Sequence, residues 1–303
     1  MSDAGKGILA MVIACTIWGL GPLYWVRLSH IPAIDVIAHR TFWSAVTFLV
    51  LLLLQGRLGA LRAALSSRRN LLIIMTAALM ISLNWLIFIW AVGHEHATEA
   101  SLGYFLFPLV AVVAGRVIYS ERLAQLQWMA VALAAAAVVL LTYGLGVAPW
   151  IALVLACSFG AYGVIKKALD LGPVVSVTAE VVMLVPIALI LLGMASHPST
   201  RLSGPLQDTV LLVFSGAFTA TPLILFSYAA RRASLSTVGL VQYLNPTLQF
   251  FCAVVIFAEP FGLWHALSFP LIWAALALYS WSAWRQEKAR VRAASNASIS
   301  STT

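Results

Sequence analysis

Long apolar runs separated by short polar segments divide the whole chain, and this spacing limits the possible folds more than any other feature. A membrane-spanning helix needs about 20 apolar residues. The runs are rich in Leu, Ala and Val and lack the alternation of barrel strands, so helices are the structure that satisfies their backbone in lipid. The sequence therefore predicts an all-α integral membrane protein with ten transmembrane helices, at about 7–28, 34–55, 71–93, 98–118, 123–143, 148–167, 174–194, 208–230, 235–257 and 263–284.

The composition and the positions of the charges agree with a membrane location. Hydrophobic residues make up 62% of the chain and charged residues 9%, whereas a water-soluble surface is about 25–35% charged. With a cytoplasmic N-terminus, most of the 18 Lys and Arg residues fall on the cytoplasmic side, whereas Arg27 and Arg201 fall outside. The positive-inside rule thus predicts a cell (inner) membrane protein with both termini cytoplasmic. The net charge of +8 follows from this topology, so we expect a lipid bilayer and no nucleic acid as partner.

Residue types that bind metals occur without the spacing of a metal site. Cys15, Cys157 and Cys252 fall in three different apolar runs, as small core residues do. His94 and His96, with acidic residues beside them, follow the third run and could bind a metal. No motif supplies a third ligand, so a solvated outer turn is the preferred interpretation. We expect no metal and no cofactor.

Two parts of the chain repeat the same pattern of proline and glutamate. Pro108 is followed thirteen residues later by Glu121, and Pro246 is followed thirteen residues later by Glu259. The offset of 138 residues also maps three further positions without a gap, from Phe88, Trp90 and Ala91 onto Phe226, Tyr228 and Ala229. We interpret the pattern as a duplication.

The duplication predicts two five-helix units, residues 1–146 and 147–284, followed by a basic and then disordered cytoplasmic tail at 285–303. Because five spans are an odd number, the second unit starts on the opposite side of the membrane from the first. The two units should therefore have inverted topology, which suits alternating access around a site in the middle of the membrane. Glu121 then faces the cytoplasm and Glu259 the outside, where each acid could pair with cations at a helix end.

Polar residues near the middle of the predicted spans indicate a cavity. Asn84 lies in the third span, where a hydrogen bond to a neighbouring helix is the alternative to a place in a cavity. Pro108 in the fourth span should kink or unwind the helix near Tyr104. Freed carbonyl groups beside Tyr104 would suit a bound polar group, although a packing kink is the alternative. The ninth span is more polar still, and its side chains cannot all face lipid: Gln242, Tyr243, Asn245 and Gln249.

Glycine and aromatic residues cluster in the first and sixth spans. Trp18 and Gly19 begin the cluster in the first span, and Tyr162 belongs to a similar but less dense cluster in the sixth span. Glycines for close helix packing and aromatic side chains that line a pathway are both consistent with this pattern. For Tyr24 and Trp25, near the outer end of the first span, an interfacial aromatic belt is the preferred interpretation.

Three acidic or basic side chains lie five or six residues inside the ends of predicted spans. His39 and Arg40 lie about 9 Å below the outer boundary, and Glu180 lies about 9 Å from the cytoplasmic one. An ionisable residue inside a membrane is a functional hypothesis by default, and we assign gating or coupling to these three. Arg40 could instead snorkel outward, and Glu180 could carry a coupling proton or bond a neighbouring helix.

The motif residues resemble the RarD-like branch of the drug/metabolite transporter superfamily. The resemblance covers residues 6 to about 284. It implies two EamA-type five-helix repeats and the movement of small organic molecules, amino acids and their analogues among them, usually outward. Some members are called chloramphenicol-resistance permeases. The motifs are Trp18-Gly19, His39-Arg40, Asn84-Trp85, Phe88-Ile89-Trp90-Ala91, Glu99-Ala100-Ser101-Leu102-Gly103-Tyr104, Gln127-Trp128 and Gln242-Tyr243.

Together these features favour a secondary transporter for a small-molecule substrate such as threonine, methionine or an aromatic amino acid, with amphipathic drugs as the alternative. An intramembrane enzyme is disfavoured, because the sequence lacks HExxH and GxSxG motifs and its acids are scattered. A receptor or scaffold would need a larger soluble face. The predicted substrate cavity is walled by Trp18, Asn84, Tyr104, Tyr162, Gln242 and Tyr243.

Overall fold

In the computed structural model, the regular elements of the described residues are all helical. The structure describes residues 3–119, 123–146, 148–167, 169–195, 197–200, 204–230, 232 and 241–300. Glu121 and the first part of the predicted ninth span, residues 235–240, lie outside these ranges. The helices are α1 (Asp3–Gly19), α2 (Gly21–Trp25), α3 (Ala33–Leu54), α4 (Leu58–Ser66), α5 (Arg68–Gly93), α6 (Ala97–Tyr119), α7 (Gln125–Leu145), α8 (Trp150–Lys167), α9 (Pro173–Met194), α10 (Leu206–Ala230), α11 (Leu244–Phe251) and α12 (Leu263–Ser300).

Apart from α4, which lies between the second and third predicted runs, the helices overlap the predicted apolar runs, although not all of them are long enough to count as spans. Within the described ranges, seven helical segments are long and apolar enough to cross a membrane, and two apolar segments are shorter, at Trp150–Lys166 and Leu244–Ile256. The prediction of an all-helical membrane fold is therefore confirmed, and the number of ten transmembrane helices stays a prediction. The seven segments are Gly5–Leu28, Ala33–Leu54, Arg68–Gly93, Gln125–Gly144, Pro173–Met194, Leu206–Ala229 and Leu263–Ser282.

The helix around Pro108 does not unwind. α6 is continuous from Ala97 to Tyr119 with the proline inside it, so of the two predicted outcomes near Tyr104, a kink or an unwound segment, the unwound segment is not found. Proline removes one backbone donor, which leaves the Tyr104 carbonyl without its helical partner. Close packing supports the helix beside this point, because a Cβ on Gly103 would lie 2.8 Å from the Ala152 carbonyl oxygen of α8.

The corresponding segment of the second half is irregular. A turn at Tyr243 precedes α11, three residues before Pro246. After α11 the chain forms a π-helix at Cys252–Ile256, a form that occurs mostly as single turns and frequently at functional sites. The two prolines thus share a sequence pattern, and only the second is preceded by a break in the helix.

The segment after the last predicted span, for which the sequence predicts a basic and then disordered tail, belongs to the last helix, α12, up to Ser300. Residues 285–294 include three Ala and three Arg, which are good helix formers. An existing helix also extends without the cost of nucleating a new one.

Helices of the two predicted halves pack mainly against each other. α3 lies against α9 and α10, α8 against α5 and α6, α7 against α12, and α1 against α10 and α11. The approach of α1 to α11 is close, because a Cβ on Gly19 would lie 2.6 Å from the Cβ of Leu248. Gly19 therefore serves close helix packing, which is one of the two interpretations that the sequence left open.

Candidate functional site

A buried amide joins three helices near the middle of the bundle. The Asn84 side chain on α5 is fully buried. Its Nδ2 donates to the Leu155 carbonyl oxygen at 2.9 Å and to Ser158 Oγ at 3.1 Å, both on α8. Its Oδ1 accepts a hydrogen bond of 2.8 Å from the Tyr104 hydroxyl on α6. Asn84 and Tyr104, both predicted site residues, are thus in direct contact.

A row of aromatic rings connects this amide to the predicted cytoplasmic end of α8. The Tyr104 ring centroid lies 5.6 Å from that of Phe88 and 5.9 Å from that of Phe159. Phe159 in turn lies 6.0 Å from Tyr162 in a stacked arrangement. The row places Asn84, Tyr104 and Tyr162 along one path between helices α5, α6 and α8.

Glu180 lies at the inner end of the row in a network of polar groups. Its side chain is buried and accepts hydrogen bonds from Lys166 Nζ at 2.7 Å, the Tyr162 hydroxyl at 3.0 Å and Ser176 Oγ at 3.0 Å. It therefore bonds a neighbouring helix, which the sequence offered as one of two interpretations. The role of Lys166 was missed because it resembles an ordinary cytoplasmic loop cation. The available signal was its position four residues after Tyr162, which puts both side chains on one helix face.

Arg40 is buried at the outer end of the same region. Its side chain is 6% exposed, so it does not snorkel outward. The guanidinium carbon lies 4.0 Å from the ring centroid of Trp85 and 4.9 Å from that of Trp25. Trp25 is also buried, at 3% exposure, so the interpretation of this tryptophan as part of an interfacial belt is wrong. Tyr24 packs inward as well, with its ring stacked 4.4 Å from that of Phe218.

His39 faces a different part of the structure from Arg40. Its Nε2 lies 2.8 Å from the Thr200 carbonyl oxygen in the short 3₁₀ turn Pro198–Thr200. Because a carbonyl oxygen only accepts hydrogen bonds, Nε2 carries the proton in this contact. The Thr200 hydroxyl also donates to Asp35 Oδ2 at 2.9 Å. His39 therefore anchors the segment between α9 and α10 to α3.

The remaining predicted wall residues lie in other contacts. The Trp18 ring is 6.2 Å from Phe226, and the Trp18 carbonyl oxygen accepts a 3.5 Å hydrogen bond from Gln249. Tyr243 packs against the cluster of α6, α7 and α12, and Gln242 directly precedes it, partly exposed. The six predicted wall residues therefore do not form one contact cluster.

Glu259 caps α6 across the two halves, a contact that the sequence did not reveal. Its two carboxylate oxygens accept hydrogen bonds of 2.7 Å from the backbone amides of Ala97 and Thr98. The expectation that Glu259 pairs with a cation is therefore wrong, because the first amides of α6 supply the positive partial charge.

A pocket of about 260 Å³ lies at the predicted outer face, between the turn after α2 and the end of α5. Its lining includes His30, His94 and His197. His30 lies 2.9 Å from Asp208, and the His94 ring stacks on Trp90 at 4.5 Å. In the part of the chain that the structure describes, these residues do not converge into a group of three or more metal-ligating side chains.

Comparisons with known proteins assign the chain to a family. The model of the EamA-like transporter family matches it twice, over residues 5–143 and 147–281. The protein RarD of Streptomyces exfoliatus is 42% identical, and the match covers 97% of this chain and 95% of that protein. The uncharacterized transporter YojE of Bacillus subtilis is 40% identical over 93% and 95% of the two chains. The protein RarD of Escherichia coli is 37% identical over 90% and 93%.

A solved structure supports the same fold. One crystal structure matches this chain with a TM-score of 0.58 and 18% identity, over 93% of this chain and 99% of its own. At that identity the likeness concerns the fold alone. The family matches cover nearly the whole sequence, and the chain is therefore a multi-pass membrane protein of the EamA-like transporter family, in the RarD-like branch of the drug/metabolite transporter superfamily.

Proposed function

We propose that this transporter moves small zwitterionic solutes, most of all neutral amino acids such as threonine, methionine or the aromatic ones, by export or facilitated passage. The observation that carries the proposal is the buried Asn84–Tyr104 hydrogen bond at the head of an aromatic row. Amide and hydroxyl groups suit an amine and a carboxylate, and ring faces suit an apolar side chain or a cationic amine. Such mixed surfaces are typical of small-molecule sites.

The proposed architecture is ten transmembrane helices in two inverted repeats, at residues 1–146 and 147–284. The double match of the family model supports the division. The packing of helices between the halves supports alternating access, because one half can rock against the other around the shared interface. The positive-inside pattern supports a cell (inner) membrane location with both termini cytoplasmic.

The proposed substrate cavity retains all six wall residues. Asn84, Tyr104 and Tyr162 form its connected part. Trp18, Gln242 and Tyr243 belong to α1 and to the irregular segment around α11, which packs against both α1 and α6. A rearrangement of α11 would bring these side chains toward the row. His39, Arg40 and Glu180 are proposed to act in gating or coupling at the two ends.

The test is counterflow in proteoliposomes. Proteoliposomes are loaded with unlabelled amino acid, and labelled threonine, methionine or phenylalanine is added outside. With all ion gradients collapsed, the label accumulates inside the vesicles only through exchange by the carrier. Tyr104→Phe and Asn84→Ala should reduce exchange at least tenfold, since each leaves buried polar groups unpaired where the solute binds. Leu54→Ala, on a side chain that is 80% exposed at the end of α3, is the matched control and should exchange normally.

Two results would contradict the proposal. Intact wild-type protein that exchanges no amino acid of the panel would remove the proposed substrate class. Full exchange in the Tyr104→Phe and Asn84→Ala variants would show that the substrate does not bind at this buried pair.

A multidrug or chloramphenicol-type permease is the second candidate. The row of aromatic rings favours it, because stacked faces also accept flat, amphipathic molecules. A relative from Pseudomonas aeruginosa, 31% identical over 96% of this chain and 99% of its own, carries the name chloramphenicol-sensitive protein RarD. Counterflow of labelled chloramphenicol, together with loss of amino-acid exchange in its presence, would favour this candidate.

A further inference from the structure

Arg40 is a buried cation, and the ion pairs of the described residues do not include it. Within the same part of the chain that the structure describes, its Nε atom has no hydrogen-bond partner. Its contacts are with the ring faces of Trp25 and Trp85. Removing a charge from water is costly unless another charge compensates it. Ring faces offset part of that cost but supply no acceptor to the buried Nε atom.

The position of Arg40 links it to the proposed cavity. Trp85, which contacts the guanidinium, directly follows Asn84 in α5. Asn84 is bonded to Tyr104, and Trp25, Trp85, Phe88 and Tyr104 belong to one apolar cluster. Through its contacts with the two tryptophans, the guanidinium therefore adjoins the apolar cluster that holds the Phe88 and Tyr104 end of the aromatic row.

We propose that Arg40 binds the carboxylate group of the transported solute. A planar guanidinium matches a carboxylate in a two-pronged arrangement, and its charge makes these hydrogen bonds the strong ones. Trp25 and Trp85 hold the plane of the cation so that its edge stays available. The proposal rests on the proposed transport of zwitterions and adds the residue that selects for a carboxylate.

The other end of the row is not suited to this task. Lys166 is already paired with Glu180 at 2.7 Å and is further bonded to Tyr162. A solute carboxylate there would meet the negative charge of Glu180. The solute would therefore lie with its carboxylate toward Arg40 and its side chain along the rings of Tyr104 and Phe159.

The test measures binding separately from transport. The melting temperature of the purified protein in detergent is followed while phenylalanine is titrated, and again with phenylalaninamide, which keeps the amine and the ring but lacks the carboxylate. Phenylalanine should stabilise the wild-type protein and the amide should not. Arg40→Gln should weaken phenylalanine binding about 10- to 100-fold. Arg40→Lys keeps the charge but lacks the planar guanidinium, so its affinity for phenylalanine should lie between those of the wild type and Arg40→Gln.

The controls separate binding from folding. Arg62→Gln, on an exposed part of α4, should behave like the wild type with both probes. Without ligand, Arg40→Gln should melt at or above the wild-type temperature, since it removes an uncompensated buried charge. The comparison of the two probes on wild-type protein needs no variant and decides whether a carboxylate is recognised. If Arg40→Gln fails to fold, Arg40→Lys tests whether Arg40 is the residue that binds it.

Different outcomes contradict the assignment of Arg40 and the proposed transport function. Equal stabilisation of the wild type by both probes, stabilisation by neither, or an undiminished phenylalanine response in Arg40→Gln would overturn the assignment of Arg40. Carboxylate-selective binding that depends on Arg40, without counterflow of any amino acid, would support the binding site and contradict the proposed transport function.

Discussion

The Glu259 carboxylate accepts a hydrogen bond of 2.7 Å from the backbone amide of Thr98, at the first turn of α6. A second bond of the same length joins it to the amide of Ala97. The acid belongs to the segment between α11 and α12, whereas the amides belong to the first predicted half. One carboxylate therefore closes the predicted outer edge of the interface between the halves.

Replacing Glu259 by Ala should lower stability, because two buried amides lose their acceptor. A lost helix cap costs about 0.5–2 kcal/mol. The measurement is the melting temperature in detergent, with Glu95→Ala in the exposed turn after α5 as control. If both variants melt alike, the cap does not stabilise the closed arrangement.

Gly19→Ala should destabilise the contact between α1 and α11, since the new Cβ would lie 2.6 Å from that of Leu248 and 3.0 Å from the Asn245 carbonyl oxygen. Overpacking of this kind costs about 1–3 kcal/mol. Gly163→Ala in α8 is the matched control, because a Cβ there meets nothing within 4 Å. That variant should be neutral or more stable, as alanine favours helix. Equal melting temperatures for the two variants would contradict the close approach.

Glu180→Gln and Lys166→Met should each destabilise the protein, and the double variant should lose less stability than the sum of the two single losses. Removing one partner of a buried pair leaves the other uncompensated, at a cost of about 3–5 kcal/mol, whereas removing both does not. Chemical or thermal unfolding of the four proteins gives the coupling between the sites. Strictly additive losses would show that the 2.7 Å pair contributes nothing of its own.

Tyr104→Phe should destabilise the wild-type background but not the Asn84→Leu background. In the wild type it leaves the Asn84 Oδ1 without its donor, at a cost of about 1–3 kcal/mol. In Asn84→Leu that oxygen is already absent. Melting temperatures of the three variants in detergent test this, and an equal loss in both backgrounds would count against the hydrogen bond.

The lengths of the apolar runs predict where the helices lie, because burying backbone in lipid demands helix over each whole run. The predicted run at 174–194 corresponds to α9 at Pro173–Met194. Breaks within the helices are harder to predict from the sequence. Pro108 and Pro246 share one sequence pattern, yet only the second is preceded by a break in the helix, because the packing around each proline decides whether the helix breaks.

The partners of the polar residues could not be predicted from local sequence. Asn84 and Leu155 are 71 residues apart, and Glu259 and Ala97 are 162 residues apart. Such contacts depend on which helices become neighbours. The sequence therefore identified Asn84, Tyr104, Arg40 and Glu180 as unusual, and the packing of helices decided what each of them contacts.

The pairing of Glu180 with Lys166 has an electrical consequence. One elementary charge moved across a membrane potential of 100 mV does work of about 2.3 kcal/mol. The two opposite charges lie 2.7 Å apart on α9 and α8, so when these helices shift together the work on one cancels the work on the other. If the proposed alternating access moves these two helices together, the movement of this charge pair is uncoupled from the membrane voltage.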